Sequence, residues 1–122
     1  MIPLVRNKRK IYVCNAYLVN ELKRFDKPIE LYENCQTTHG NADLTSFGME
    51  AYQYMRIKTS AEHAKYYHLG DAVYVNVTPP EEHDVMCKTA DYEVSEDPIV
   101  SFNHLEVLLK RRSGRKWNLQ VN

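Results

Sequence analysis

Three carboxylates stand close together just after two adjacent prolines, at Glu81, Glu82 and Asp84. Clustered carboxylate oxygens are the ligands that a hard cation such as calcium takes. The segment lacks the alternating ligands and the central glycine of an EF-hand loop. We therefore interpret it as a solvated acidic loop.

Histidine and cysteine could supply metal ligands or nucleophiles, but their spacing favours neither. His63 and His68 are five residues apart, whereas a helical metal pair prefers a separation of four. Cys14, Cys35 and Cys87 lie far apart without a C-x-x-C pair, which favours reduced thiols in a cytosolic setting. No nucleophile elbow, phosphate loop or zinc-protease motif is present. We expect no cofactor, no metal ion and no enzymatic activity.

The charges are segregated along the chain although the formal net charge is zero. The segment 81–97 holds seven carboxylates against one lysine. Two basic blocks lie near the ends of the sequence: Arg6, Lys8, Arg9 and Lys10 in the first, and Lys110, Arg111, Arg112, Arg115 and Lys116 in the second. Such blocks are either solvated faces or contacts for a partner of opposite sign, which would be nucleic acid or the acidic segment of a neighbouring copy.

The basic blocks suit non-specific contact with phosphates rather than base reading, because no helix-turn-helix, zinc finger or RNP motif accompanies them. The residues of the first block are candidates for lining a DNA channel. Lys110, Arg111 and Arg112 are candidates for a contact between subunits or with a partner.

Alternating apolar residues place most of these groups on β-strands. At 122 residues the chain fits one domain. Period-two patterns predict strands near 11–15, 29–37, 50–58, 72–77, 90–94, 99–102 and 105–109. A turn or hairpin connection is expected at 23–28 and a loop at 38–51.

One short helix is expected between Ser60 and Gly70, with Thr59 or Ser60 as its N-cap. The fold class is therefore mainly β, a small antiparallel barrel or sandwich with one short helix, over 1–112. The segment 113–122 is expected to form a C-terminal tail. The N-terminus has the wrong order of basic and apolar residues for a signal peptide, and no run is long enough for a membrane span, so no membrane partner is expected.

Nine tyrosines are many for a chain of this length. Tyr74 and Tyr92 fall on predicted strands and are expected in the core or as cross-strand neighbours. Tyr66 and Tyr67 are adjacent at the end of the predicted helix, so at least one should point outward, where tyrosine serves interfaces well. Both are candidate interface residues, as is Trp117 in the tail.

Several of these segments together resemble the head-completion proteins of tailed bacteriophages, also described as head–tail connector or minor capsid proteins. The resemblance spans 6–110 and rests on quoted stretches of this sequence: RNKRKIYVCNAY, FGME, YHLGDAVYV followed by an acidic loop with two prolines, ADYEV, and NHLEVLLKR. The tail after Arg111 departs from the family pattern, which leaves the contacts of Trp117 open.

The resemblance implies a β-barrel subunit without catalytic residues. The subunits would form a homo-oligomeric ring, twelve-fold or six-fold, in the neck of the virion. A portal or adaptor ring would lie above and a tail-side protein below, and assembly would occur in the host cytoplasm. Gly70 and Asp71 would form the turn into one barrel strand, and 90–92 would begin its partner strand.

In such a ring, the acidic loop at 79–89 would be an interaction arm that meets a basic segment of the next copy. Its proline start would lower the entropy cost of docking. Two alternatives stay open. One is a tail-terminator or tail-to-head joining protein, and the other is a small host β-barrel module that binds nucleic acid or a protein partner.

Overall fold

The structure is a computed structural model that describes residues 8–37 and 54–112. Nine strands and one short 3-10 helix occur in these residues. In chain order they are β1 (Lys8–Cys14), β2 (Ala16–Val19), β3 (Leu22–Phe25), β4 (Ile29–Thr37), β5 (Tyr54–Ser60), the 3-10 helix (Ala61–Tyr66), β6 (Ala72–Tyr74), β7 (Tyr92–Val94), β8 (Ile99–Ser101) and β9 (His104–Arg111).

Six of the strands close into an antiparallel barrel in the order β5-β4-β1-β6-β7-β9, with β9 pairing back to β5. β8 adds to one edge of β9, and β2 and β3 form a separate hairpin. The expected mainly β fold is confirmed, and of the two expected architectures, barrel and sandwich, the structure has the barrel. Closure leaves the six strands without a free edge among themselves.

Alternate residues of each barrel strand point inward, as the period-two patterns predict. The interior holds branched aliphatic side chains, one cysteine, one methionine and two tyrosine rings: Ile11, Val13, Cys35, Met55, Ile57, Tyr67, Val73, Val75, Tyr92, Val94, Leu105, Val107 and Leu109. Tyr92 is therefore in the core, as expected. Tyr74 is also buried, but it belongs to a second cluster outside the barrel wall.

A polar group lies within this apolar interior. Glu33 points inward from β4 and is 1% exposed. Its Oε2 accepts a hydrogen bond from the Tyr67 hydroxyl at 2.7 Å, and the ring nitrogen Nδ1 of His63 lies 2.8 Å from the same oxygen. Because a carboxylate oxygen can only accept there, we infer that Nδ1 of His63 carries a proton. The helix thus closes one end of the barrel by satisfying a buried carboxylate.

The expectation that Tyr67 contributes to an interface is wrong. Its side chain is 2% exposed, because the hydroxyl reaches into the barrel to Glu33. Tyr66 is only partly buried and packs against the His63 ring edge-on, with 5.7 Å between the ring centroids. Of the two adjacent tyrosines, Tyr66 alone retains surface. Thr59 and Ser60 were the two expected N-caps, and the structure has Ser60 in this role. Its side chain accepts a hydrogen bond from the Glu62 N–H.

The β2–β3 hairpin was not predicted from the sequence, which placed a turn or connection at 23–28. The reversal instead falls at Asn20 and Glu21, both with positive φ, at 52° and 69°. Two consecutive residues of this kind form the two-residue turn that suits the twist of a hairpin. At its base, Asp71 accepts from the Ala16 N–H at 2.8 Å and from the Asn15 side chain at 2.6 Å. The hairpin is thereby fixed against the turn at Gly70 and Asp71 that leads into β6.

The segment between β6 and β7 is packed onto the outside of the barrel. Cys87 and Ala90 are buried with Phe25 of the hairpin and with Tyr74. The Phe25 N–H donates to the Val85 carbonyl oxygen at 2.8 Å. The acidic loop is therefore held along the barrel wall rather than projecting as a free arm.

Candidate nucleic-acid interface

Strand direction brings the two basic blocks to one end of the barrel. β1 begins at Lys8, which is opposite Asn34 near the end of β4. β5 begins at Tyr54, which is opposite Lys110 near the end of β9. Because neighbouring strands are antiparallel, the start of β1 and the end of β9 lie at the same end of the barrel. The described members of this group, called the basic end below, are Lys8, Arg9, Lys10, Lys110, Arg111 and Arg112.

Most side chains of the basic end have no ion-pair partner among the residues that the structure describes. Across 8–37 and 54–112, no carboxylate lies within ion-pair distance of Lys8, Arg9, Lys110 or Arg111. Lys10 pairs with Glu30 at 3.6 Å, with both side chains exposed, and such surface pairs contribute little. Unpaired cations gathered at one end create a positive potential that attracts phosphate groups.

Two contacts position individual side chains of the basic end. Arg9 Nη1 donates to the Asn76 side-chain oxygen at 2.7 Å. Lys8 Nζ lies 5.8 Å from the centroid of the Tyr32 ring, which is 61% exposed. Tyr32 was not singled out from the sequence, although the alternation of β4 puts it on the face opposite Leu31. An exposed aromatic ring beside lysines can stack on a base or a sugar.

Arg112 has a different role from the one expected of it. Its Nη1 donates to the Cys87 carbonyl oxygen at 2.6 Å, and its Nε lies 4.0 Å from a Glu93 carboxylate oxygen. The Arg112 N–H also donates to the Asp91 carbonyl oxygen. The side chain therefore secures the acidic loop of its own subunit, so Lys110 and Arg111 are better candidates for a partner contact.

The three carboxylates of the acidic loop differ in their environment. Glu81 and Glu82 are exposed. Asp84 accepts from the backbone N–H groups of Met86 at 3.0 Å and Lys88 at 2.9 Å. These two donors, Lys88 first, lower the pKa of Asp84. Asp84 thus holds the turn of the loop together, and only Glu81 and Glu82 are available to a partner.

An open cleft of about 490 Å³ separates the start of this loop from the barrel wall. Tyr12 and Pro28 lie on the barrel side, and Pro79, Pro80 and His83 lie on the loop side. His83 Nε2 is also 2.7 Å from the Phe25 carbonyl oxygen, so the histidine contributes to fixing the loop. Polar and charged side chains also line the cleft, at Lys27, Glu30, Thr78 and Glu81, and we assign no chemistry to it.

Cys14 and Cys87 are both buried in the cluster beneath the loop. A hydrogen bond from the Cys14 thiol, helped by one from Tyr74, lowers the pKa of Cys87 to about 7 although burial opposes the shift. Cys87 also has a positive φ of 46°. Neither thiol has exposed surface, so the pair contributes to packing rather than to a site open to substrate.

Within the described part of the chain, no group of three or more histidine, cysteine, aspartate or glutamate side chains could hold a metal ion. Arg6, Arg115, Lys116, Trp117 and the expected loop at 38–51 lie outside the described residues. The short helix at 61–66, which is the helix found in 8–37 and 54–112, is neither long enough nor apolar enough to cross a membrane.

No protein-family model, no curated protein and no solved structure matches the chain. The functional interpretation therefore depends on the barrel itself, its surface charges and the resemblance of the quoted segments.

Proposed function

We propose that the protein is a structural head-completion component of a tailed bacteriophage. In this proposal, copies of the barrel form a ring in the neck of the virion, between the portal or adaptor ring and the tail, and close the head after DNA packaging. The ring would have six or twelve copies. No chemical step is required of any side chain.

The chemical difference between the two ends of the barrel is the observation that carries the proposal. The basic end gathers cations from both basic blocks. The opposite end carries the helix, the β2–β3 hairpin and the β8–β9 turn, where apolar side chains such as Leu18, Leu22 and Phe102 are exposed. A ring subunit in the neck needs such polarity, since one surface meets packaged DNA and others meet proteins.

The basic end supports contact with DNA that does not depend on sequence. Lysine and arginine bind the phosphates of any duplex, and this binding weakens as the salt concentration rises, because the counterions released from the DNA then gain less entropy. In the proposed neck ring, Lys8, Arg9 and Lys10 would face the DNA channel. Lys110 and Arg111 would add to the same potential.

Glu81 and Glu82 would contact an oppositely charged surface of a neighbouring neck protein. They are exposed, and the loop that carries them is already ordered on the barrel by the bond between Phe25 and Val85. Docking would therefore cost little conformational entropy. Changing both to lysine should leave the fold intact while lowering incorporation into particles. The matched control is Asp26→Lys with Glu62→Lys, which makes the same change of charge at two other exposed carboxylates.

The test of the proposal is an early stop codon in the coding sequence of a phage that carries it. DNA-filled heads without attached tails, together with DNA released from them, are the expected products in electron micrographs of lysates. Adding the purified protein to such an extract should restore joining. Intact tailed particles at the normal yield would overturn the proposal.

A nucleic-acid-binding barrel module is the second candidate, and the unpaired cations of the basic end favour it specifically. It predicts that the purified protein binds duplex DNA with a steep salt dependence while the stop codon leaves particles unchanged. The head-completion proposal predicts the particle defect whether or not DNA binding is detectable in isolation.

A further inference from the structure

We propose that the outward face of the β2–β3 hairpin is the contact by which one copy of this chain docks on the β8 edge of the next copy. The inference rests on the proposed ring, and it names the two surfaces that join its subunits. The face comprises Tyr17, Val19, Leu22 and Arg24, called the hairpin face below. The receiving surface comprises Ile99, Val100 and Phe102, called the edge patch below.

Register assigns the hairpin face. Val19 pairs with Leu22, and Tyr17 pairs with Arg24. Paired residues in an antiparallel ladder point to the same side, and alternate pairs share a face. The other two pairs, Ala16 with Phe25 and Leu18 with Lys23, point to the opposite side, which is the barrel side at the base because Phe25 is buried there. The hairpin face consequently presents three exposed apolar side chains and one arginine to solvent.

The edge patch is the other large exposed apolar surface at this end of the barrel. β8 pairs with β9 along one edge only, among the residues that the structure describes. All three β8 residues are exposed, and an apolar strand with an open edge is a ready site for association. Phe102, in the turn after β8, is 95% exposed and has a φ of 55°, a conformation that bulky residues disfavour. A partner that covers the ring would remove its apolar surface from water.

Charge makes the two surfaces complementary. Glu96 and Asp97 precede the edge patch, are exposed, and form no ion pair among the described residues. Arg24 lies on the hairpin face and Lys23 on the other side of the hairpin; with the single Glu21, the hairpin as a whole keeps a net positive charge, opposite in sign to Glu96 and Asp97. Neither Lys23 nor Arg24 has a carboxylate partner within 8–37 and 54–112.

The positions of the hairpin face and the edge patch on the barrel indicate that a second copy of this chain docks there. The hairpin follows β1, and β8 is attached to β9. β1 and β9 are separated by two strands in either direction around the barrel, β6 and β7 or β4 and β5. The two surfaces are therefore attached to different strands of the wall, and both are exposed, so neither covers the other within one subunit. A contact between two different surfaces of the same chain is head-to-tail, which is the geometry that closes into rings.

Two surface variants test the contact in the purified full-length protein. The hairpin variant, Val19→Thr with Leu22→Thr, removes apolar area but keeps strand-forming side chains. The edge variant, Phe102→Asn, places at the turn a residue that accepts positive φ. Val77→Thr, at an exposed apolar position outside both surfaces, is the control. Circular dichroism melting should give near wild-type transitions for all three.

Sedimentation velocity should then separate the species. The wild-type protein and the Val77→Thr control should self-associate, whereas each surface variant alone should be monomeric, with association weakened by at least about tenfold. A mixture of the two surface variants should give one-to-one dimers and nothing larger, because only one intact hairpin face and one intact edge patch remain for pairing.

Three results would each overturn this contact. They are a wild-type protein that stays monomeric up to its solubility limit, a surface variant that associates as well as the wild type, and a mixture that yields chains longer than dimers. Failure of the proposed function is a separate outcome, because it appears as normal tailed particles without the protein. Rings that form through these surfaces while particles remain normal would retain the contact and reject the neck role.

Discussion

Replacing Tyr67 by phenylalanine tests whether the buried Glu33 holds the helix onto the barrel. The change removes one hydroxyl and leaves the ring, so the apolar packing is preserved. The lost contact is the 2.7 Å hydrogen bond to Glu33 Oε2, and Glu33 is 1% exposed, so water cannot replace the donor. A hydrogen bond to a charged group contributes about 1.5–3 kcal/mol, and we expect the free energy of unfolding to fall by that amount.

For a domain of this size each kcal/mol corresponds to about 4 °C, so Tm should fall by about 6–12 °C. Differential scanning calorimetry and urea unfolding followed by circular dichroism measure the two quantities. The matched control is Tyr66→Phe, at the neighbouring residue, whose ring contacts to His63 and Lys65 survive the change. We expect the control to alter stability by less than about 0.5 kcal/mol. Equal losses in the two variants would refute the reasoning.

Alkaline unfolding provides an independent check of the same site. Burial, followed by the Glu33 charge and the hydrogen bond to it, raises the pKa of Tyr67 above its usual range. Below about pH 10 the residue is protonated in both the folded and the unfolded state, so its contribution is fully present. At higher pH the unfolded tyrosine loses its proton while the folded one keeps it, and stability falls. Tyr67→Phe should therefore flatten the decline of Tm above that pH, and an unchanged decline would contradict this assignment.

Three further substitutions test the outer face of the barrel. Asp71→Ala should lower the free energy of unfolding by about 3 kcal/mol, since the Asn15 amide and the Ala16 and His68 N–H groups lose a buried acceptor. Asp97→Ala, at an exposed position, should be nearly neutral, and urea unfolding compares the two. Asp84→Ala should cost about 1 kcal/mol by removing the acceptor of two backbone N–H groups. This difference should be fully present above the ordinary aspartate pKa and should be lost as pH falls below it, through the lowered pKa of Asp84 in the folded state. Cys14→Ala should raise the pKa of Cys87 from about 7 towards the usual thiol value, measured by the pH dependence of the Cys87 Cβ chemical shift in carbon-13-labelled protein; an unchanged titration curve would show that the Cys14 thiol does not stabilise the thiolate.

The barrel strands could be predicted from the sequence because their period is two and their inward residues are apolar apart from a few such as Glu33. β4 was expected at 29–37 and lies there, and β9 faces Leu105, Val107 and Leu109 inward as expected. The β2–β3 hairpin was missed because its turn residues, Asn20 and Glu21, do not include a glycine or a proline. Its exposed apolar face also gives no alternation between polar and apolar residues.

The roles of single side chains depended on contacts distant in sequence. Tyr67 could not be assigned to the interior, since its partner Glu33 is 34 residues away and is itself an unexpected core residue. The basic end also depends on contacts distant in sequence. The two basic blocks are separated by most of the chain, and the pairing of β9 with β5 brings Lys110 to the end of the barrel at which β1 begins with Lys8.

The most direct test of the account is the copy number of this protein in purified, DNA-filled virions of a phage that encodes it. Quantitative mass spectrometry against an isotope-labelled standard should find six or twelve copies per particle, and cryo-electron microscopy should place rings of barrels between portal and tail. Virions that contain no copies would contradict the account.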